Sequence, residues 1–314
     1  MLLYLIRRAA TGGLIFLSVT SVCFFLFNMR GAEAVAFGIL GPDASPEAIS
    51  ALVGTLGLDQ PVLVQYWDWL TGMLTWDFGR SFVSQQDVAA VMSTRVPVTL
   101  SLVVVTLVLT VVFATLIGVV AATRGGLLDR GMQTVAVVVG AIPGYWLALV
   151  LVIVFSINLG LFPATGFIPI GQSPVGWLST VILPSIAIAL GSIFHLAVWI
   201  RSSIIDLQRQ DFVRTLRSRG LSQRAVMYRH VLRNTAAPTL QMIGLMIINL
   251  LGGAIIVERI FALPGIGTLA LQSGKAGDIP VVLAAVTFLV LVVVVVNVVV
   301  DILNGFLNPK ARTT

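Results

Sequence analysis

Eight arginines and two aspartates fall within the 33 residues from Arg201 to Arg233, in a chain of 314 residues with a net charge of +6. Guanidinium groups pair with carboxylates and phosphates, so the chemistry on offer is ionic docking rather than bond making or breaking. The spacing predicts a helix from Ser202 to Arg219 with Ile205, Phe212 and Leu216 along one side. Gly220 can take positive φ and turn the chain, and Ser222 can then cap a second helix from Gln223 to about Asn234. Two short amphipathic helices meeting at Gly220 would form a knob, with Arg214, Arg217 and Arg219 as polar contacts. A basic loop resting on anionic lipid is the plainer alternative. The length, apolar stripe and punctuation of the stretch suit a protein partner better.

Other chemistry is sparse. No G-x-x-x-x-G-K-[ST] phosphate loop occurs: Gly274-Lys275 is followed by Ala276 and lacks the upstream glycine. The chain is therefore expected to bind no ATP, and no other cofactor, by itself. His195 stands alone and reads as a packing residue, because a metal needs several converging ligands. The single cysteine, Cys23, permits no internal disulfide.

The elements that must carry the arginine-rich stretch follow from the distribution of charge. Hydrophobic residues make up 58% and charged residues 10%, against about 25% charged in soluble domains. Charge-free gaps of 21, 28, 24 and 22 residues follow Arg8, Arg95, Arg233 and Asp278, and one of 70 follows Arg130. A spanning helix needs about 20 apolar residues. The long gap accommodates two spans, broken between Pro163 and Gly176, giving six in all with cores near 9–29, 98–122, 132–158, 178–200, 237–257 and 280–302. The fold class is an all-α polytopic membrane protein, since barrel strands would alternate with period two.

Basic residues collect on the cytoplasmic side of spanning helices. With the N-terminus inside, 14 of the 19 lysines and arginines share one side, Lys310 and Arg312 among them, and both termini are cytoplasmic. The positive charge is thus an orientation signal, and nucleic acid is not an expected partner; membrane lipid is. A cleaved signal peptide ending near Ala32-Glu33-Ala34 is the competing reading of the N-terminus, but its apolar stretch exceeds the usual length. Ion-coupled carriers need ionisable groups at mid-membrane, and the spans offer only His195 and Asp301. An ion-coupled secondary transporter is the alternative of a different class, and a membrane scaffold is a third.

The chain divides into a first span (1–30), an extracytoplasmic segment (31–96), and a five-helix core (97–310) carrying the loop 201–236. In the external segment, Ser45-Pro46-Glu47 reads as a helix start, and a second helix begins near Pro61 with Leu63, Tyr66, Leu70 and Leu74 on one face. Trp67, Trp69 and Trp76 suit the membrane–water boundary. After the fifth span, glycines and a proline give the turn Phe261–Gly267 an irregular backbone. Phe261, Pro264, Gly265 and Gly267 are candidates for an outward gate or a dock for an external protein.

The stretch Asp211–Ser222 resembles the loop by which ABC importer permeases dock onto their ATPase, in the version of the dipeptide, oligopeptide and nickel permease family. Matches extend along nearly the whole chain: Gly57–Pro61 with Phe78–Phe82, Arg95–Leu100, Leu128–Arg130, Pro143, Trp146, Leu161–Gly166, Leu183-Pro184 and Phe261–Gly267. The external segment is similar to that of the B-type subunit. Arg214-Thr215-Leu216 stands where the general motif has Glu-Ala-Ala, and the later Ile and Leu-Pro positions hold His230 and Leu232-Arg233. The resemblance implies a type I importer fold in a bacterial cell membrane. It implies a second homologous permease, two ATPase subunits holding ATP and Mg, and an external solute-binding protein. It makes Asp211, Arg214, Thr215, Arg217, Arg219, Gly220, Leu221 and Ser222 the coupling site, and peptides, with nickel or another small solute as the alternative, the cargo.

Overall fold

The computed structural model describes residues 2–307, with side chains from 6 to 306; Lys310 and Arg312 lie outside them. Helices follow one another as α1 (Leu2–Asn28), α2 (Ala32–Leu40), α3 (Pro46–Thr55), α4 (Val62–Thr75), α5 (Val88–Arg124), α6 (Gly126–Ala141) and α7 (Gly144–Leu151). A π-helical stretch, Val152–Asn158, extends α7. Then come α8 (Pro174–Gln208), α9 (Asp211–Ser218), the short α10 (Gln223–Ala225), a second π stretch Val226–Val231, α11 (Leu232–Ile260), α12 (Ile266–Ala276) and α13 (Ile279–Leu307). Among the described residues there is no strand, only an isolated bridge between Arg80 and Asp87.

Five continuous helices are long and apolar enough to cross a membrane: Ile6–Asn28, Val88–Arg124, Pro174–Gln208, Gln223–Ile260 and Ile279–Phe306. The apolar stretch expected as a further span is a bent pair of helices, a broken span or a re-entrant loop. Gly126–Ala141 and Gly144–Asn158 meet at 94°, so the straight helix expected over 132–158 is corrected. The cause is local. Ile142 is extended, with ψ 123°, as residues before proline are, and Pro143 has no N–H to continue the ladder. Pro97, Pro184 and Pro238 lie inside helices without ending them.

Two compact units divide the chain. One holds residues up to Ala9, Ser101–Ala262 and the chain from Val295. In it, α8 packs against α11, α6 and α7. Its core is a stripe of α8 at helical spacing, Ile193, Leu196, Ala197, Ile200 and Ile204, closed by Ala114 and Ala121 of α5, Met132 of α6, and Ile243 and Met246 of α11. Gly118 lets α5 approach closely: a Cβ there would lie 2.7 Å from the Ala197 carbonyl oxygen. Arg8 and Asp301 pair at 3.1 Å between α1 and α13.

The other unit holds Ala10–Leu100 and Leu263–Val294. Ser45 caps α3 as its sequence position implies, accepting from Ala48 N at 3.2 Å, with Pro46 at the first helical position. The Glu47 carboxylate is held below its usual range by hydrogen bonds from its own backbone N–H and from Ser45. The inward face of α4 differs from expectation. Leu63 and Leu74 are exposed, whereas Tyr66, Trp69 and Met73 turn inward. Aromatic contact decides the register: Phe24 lies 5.4 Å from Tyr66 and 5.2 Å from Trp69 between ring centroids. The buried Asp278 carboxylate accepts from Ser81 Oγ at 2.5 Å and Phe82 N at 2.9 Å, tying loop 76–87 to the chain before α13.

Candidate functional site

The arginine-rich stretch is built differently from the two-helix knob, though its corner stands where expected. The helix expected over 202–219 is interrupted. α8 stops at Gln208, Gln210 is extended with ψ 150°, and α9 restarts at Asp211. An unbroken helix would carry the apolar side of residues 211–218 away from the spans. The turn at Gln210 instead brings Val213 back, fully buried with Ile204, Val226 and Val231, with Phe212, Leu216 and Leu221 packed around them. Ile204, not Ile205, is the fully buried member of this stripe.

The opposite side of α9 is open. Asp211, Arg214, Thr215, Arg217, Arg219, Gly220 and Ser222 are all exposed. Asp211 stands in the first turn and Arg217 in the last, where each complements the helix dipole. Asp211 also accepts from Arg214 Nη1 at 3.4 Å. The Thr215 and Ser218 hydroxyls donate to the carbonyls of Asp211 and Thr215, at 3.0 and 2.9 Å. The arginine heads are therefore the outward-facing donors.

Gly220 has φ +84°. Its N–H reaches the Arg217 carbonyl at 2.9 Å, and the Leu221 N–H reaches Leu216 O at 3.3 Å. These are the two bonds of a Schellman stop, and the Leu216 and Leu221 side chains share the apolar cluster beneath it. Ser222 then caps the next helix, its Oγ accepting from Ala225 N at 3.3 Å. That helix does not end near Asn234. It passes through the π stretch Val226–Val231 straight into α11, giving one helix from Gln223 to Ile260. One end of the corner is thus part of a span, and the other is the eight-residue α9.

The turn after α11 is packed. Phe261, Gly265 and Gly267 are buried and Pro264 is half-buried. Its left-handed residue is Ala262, φ +48°, not a glycine; Gly265 is extended at φ −94°. The Ile266 N–H donates to Thr99 Oγ1 at 2.8 Å, which caps α12.

Two features escaped the sequence reading. Arg201 and Asp129 form a bidentate pair, with Nη2 donating to Oδ2 at 2.6 Å and Nε to Oδ1. The partners are 72 residues apart, and no local pattern joins them. Glu258 is fully buried in α11; its only signal was that it bounds a charge-free gap.

The sequence pattern of the binding-protein-dependent transport system inner membrane components matches residues 114–313, and that of the N-terminal membrane component of such systems matches residues 1–103. The chain belongs to this family. Similar proteins include one of Brucella abortus (strain 2308), named as a peptide transport system permease, 38% identical over 309 residues and 98% of each chain. The glutathione transport system permease protein GsiC of Salmonella typhimurium is 36% identical over 314 residues and 99% of each chain. The permease is accordingly a multi-pass membrane subunit of a transport system, and not an enzyme. A system that depends on a binding protein has further components.

Proposed function

We propose that the permease is the translocation subunit of an ATP-binding-cassette importer for di- and oligopeptides, of the B type. The observation that carries this reading is α9: one side is anchored by fully buried Val213 to two spans, and the other offers Arg214, Thr215, Arg217 and Arg219. Force applied there reaches α8 and α11 without passing through a flexible linker. In this reading both termini and the stretch 201–236 are cytoplasmic. Asp211, Arg214, Thr215, Arg217, Arg219, Gly220, Leu221 and Ser222 dock an ATPase subunit. The complete machine holds a second homologous permease, two ATPases carrying ATP and Mg, and an external solute-binding protein. Phe261, Pro264, Gly265 and Gly267 support the outward gate, and segment 31–96 is extracytoplasmic. Peptide cargo is favoured by relatives named for peptides and for glutathione, which is itself a tripeptide.

Orientation is tested by thiol labelling. In a background with Cys23→Ser, cysteines replacing Ser84 and Gly171 are expected to react with an impermeant reagent on intact cells, and one replacing Ser218 is not. Labelling at 218 reverses the topology. Function is tested by purifying the permease with its ATPases and reconstituting uptake. Peptide uptake that needs ATP and survives collapse of ion gradients is the expected result. Uptake that follows the gradient favours a secondary carrier, and uptake blocked by nickel but indifferent to peptides removes the cargo assignment.

A further inference from the structure

The break between α6 and α7 leaves the small residues Gly140, Ala141, Pro143 and Gly144 open, and the Tyr145 ring beside them. Non-helical backbone at membrane depth persists only where protein covers it or water reaches it. Beside the break, within one unit, lies a recess of about 330 Å³ between α6, α7, α8 and α11. Tyr145, Ser192 and Asn249 are its polar lining residues, set among glycines that include Gly140, Gly191 and Gly253 and a larger number of aliphatic side chains. The Tyr145 hydroxyl, the Ser192 hydroxyl and the Asn249 amide have no hydrogen-bond partner among the described residues. An amide facing hydrocarbon without a partner is strongly unfavourable. Three unpartnered polar residues lining one recess favour water in it. No acid, base, histidine or cysteine lines it.

We propose that this recess is a station on the solute route where Tyr145, Ser192 and Asn249 exchange hydrogen bonds with the main-chain amides of a passing peptide. The proposal rests on the peptide reading above. A carboxamide carries both a donor and an acceptor, the pair that a peptide unit also presents. An uncharged lining leaves the cargo's side chains unread, so the station accepts varied sequences and holds none of them tightly. Glycine keeps it open: a Cβ built on Gly140 or Gly191 meets nothing within 4 Å, so a larger side chain there enters the recess rather than the packing.

The test uses the complete transporter in proteoliposomes, with Cys23→Ser as background. Asn249→Cys is expected to react with a small, water-soluble methanethiosulfonate, and more slowly while trialanine is being transported. Gly191→Phe is expected to cut trialanine uptake about tenfold or more, the scale of filling a binding pocket, with ATPase association unchanged. A cysteine at 249 that stays unreactive overturns the proposal, since lipid or a partner chain would then cover the recess. Parental uptake by assembled Gly191→Phe overturns it too. If Gly191→Phe fails to assemble, labelling at 249 decides. If the parent transporter moves no peptide, the cargo reading fails, whereas reactivity at 249 still reports whether the recess is wet.

Discussion

Replacing Gly220 with valine is expected to abolish most ATP-coupled uptake, while replacing it with asparagine is expected to preserve it. The corner holds φ +84°, and a Cβ there would meet nothing within 4 Å. Space is not the constraint; backbone conformation is. An L-residue in the left-handed region is disfavoured by about 1–2 kcal/mol, and a branched Cβ is worse. Asparagine enters that region readily and also stops helices. Valine should therefore open the two bonds from Gly220 and Leu221 to Arg217 and Leu216, and swing α9 off Val226 and Val231. A shift of that size changes the population of the competent corner by roughly five- to thirtyfold. The measurement is uptake and ATPase stimulation in the reconstituted complex, with subunit association assayed separately. Parental coupling in Gly220→Val would make α9 an ordinary connection and remove the docking assignment.

Punctuation residues made this corner legible. Gly220 and Ser222 act through their own backbone and their nearest neighbours, so their roles can be read from adjacent sequence. The break at Gln210 could not be read that way. No glycine or proline marks it, and burial of Val213 against α8 and the π stretch decides it. The same division holds for the spans. Charge-free gaps located the five continuous apolar helices and the bent pair α6–α7, because charge is costly in hydrocarbon and its absence is read directly from composition. The bend at Ile142 was invisible to that argument, since both arms are apolar. Pro143 with Gly144 is its local sign, and Pro97, Pro184 and Pro238 sit in helices that continue. On α4, Leu63, Tyr66, Leu70 and Leu74 share a face by spacing, yet the packing of Tyr66 and Trp69 on Phe24 rotates that face and exposes both outer leucines.

The Arg201–Asp129 pair lies beyond local reading, and its removal is expected to weaken the permease as a folded object and as a machine. Asp129 sits in the first turn of α6, Arg201 ten residues before α9 begins. The guanidinium fork meets both carboxylate oxygens, and Gln133 Nε2 adds a third donor at 3.1 Å. Such a fork fixes orientation as well as distance, which a lysine ammonium cannot do. The pair thus clamps α6 to α8, the helix that leads into α9. Arg201→Ala removes the fork and leaves the half-buried Asp129 carboxylate with Gln133 and the neighbouring Arg130 as its remaining favourable partners. The thermal midpoint of the detergent-solubilised complex should fall by several degrees, and coupled uptake should fall with it. Arg201→Lys should recover part of the midpoint but less of the uptake, because charge is restored without the fork. The exchange Asp129→Arg with Arg201→Asp should outperform either single change, since the attraction survives the swap. An Arg201→Ala permease with parental midpoint and uptake would show that packing of α6 on α8 is sufficient and that the clamp is incidental.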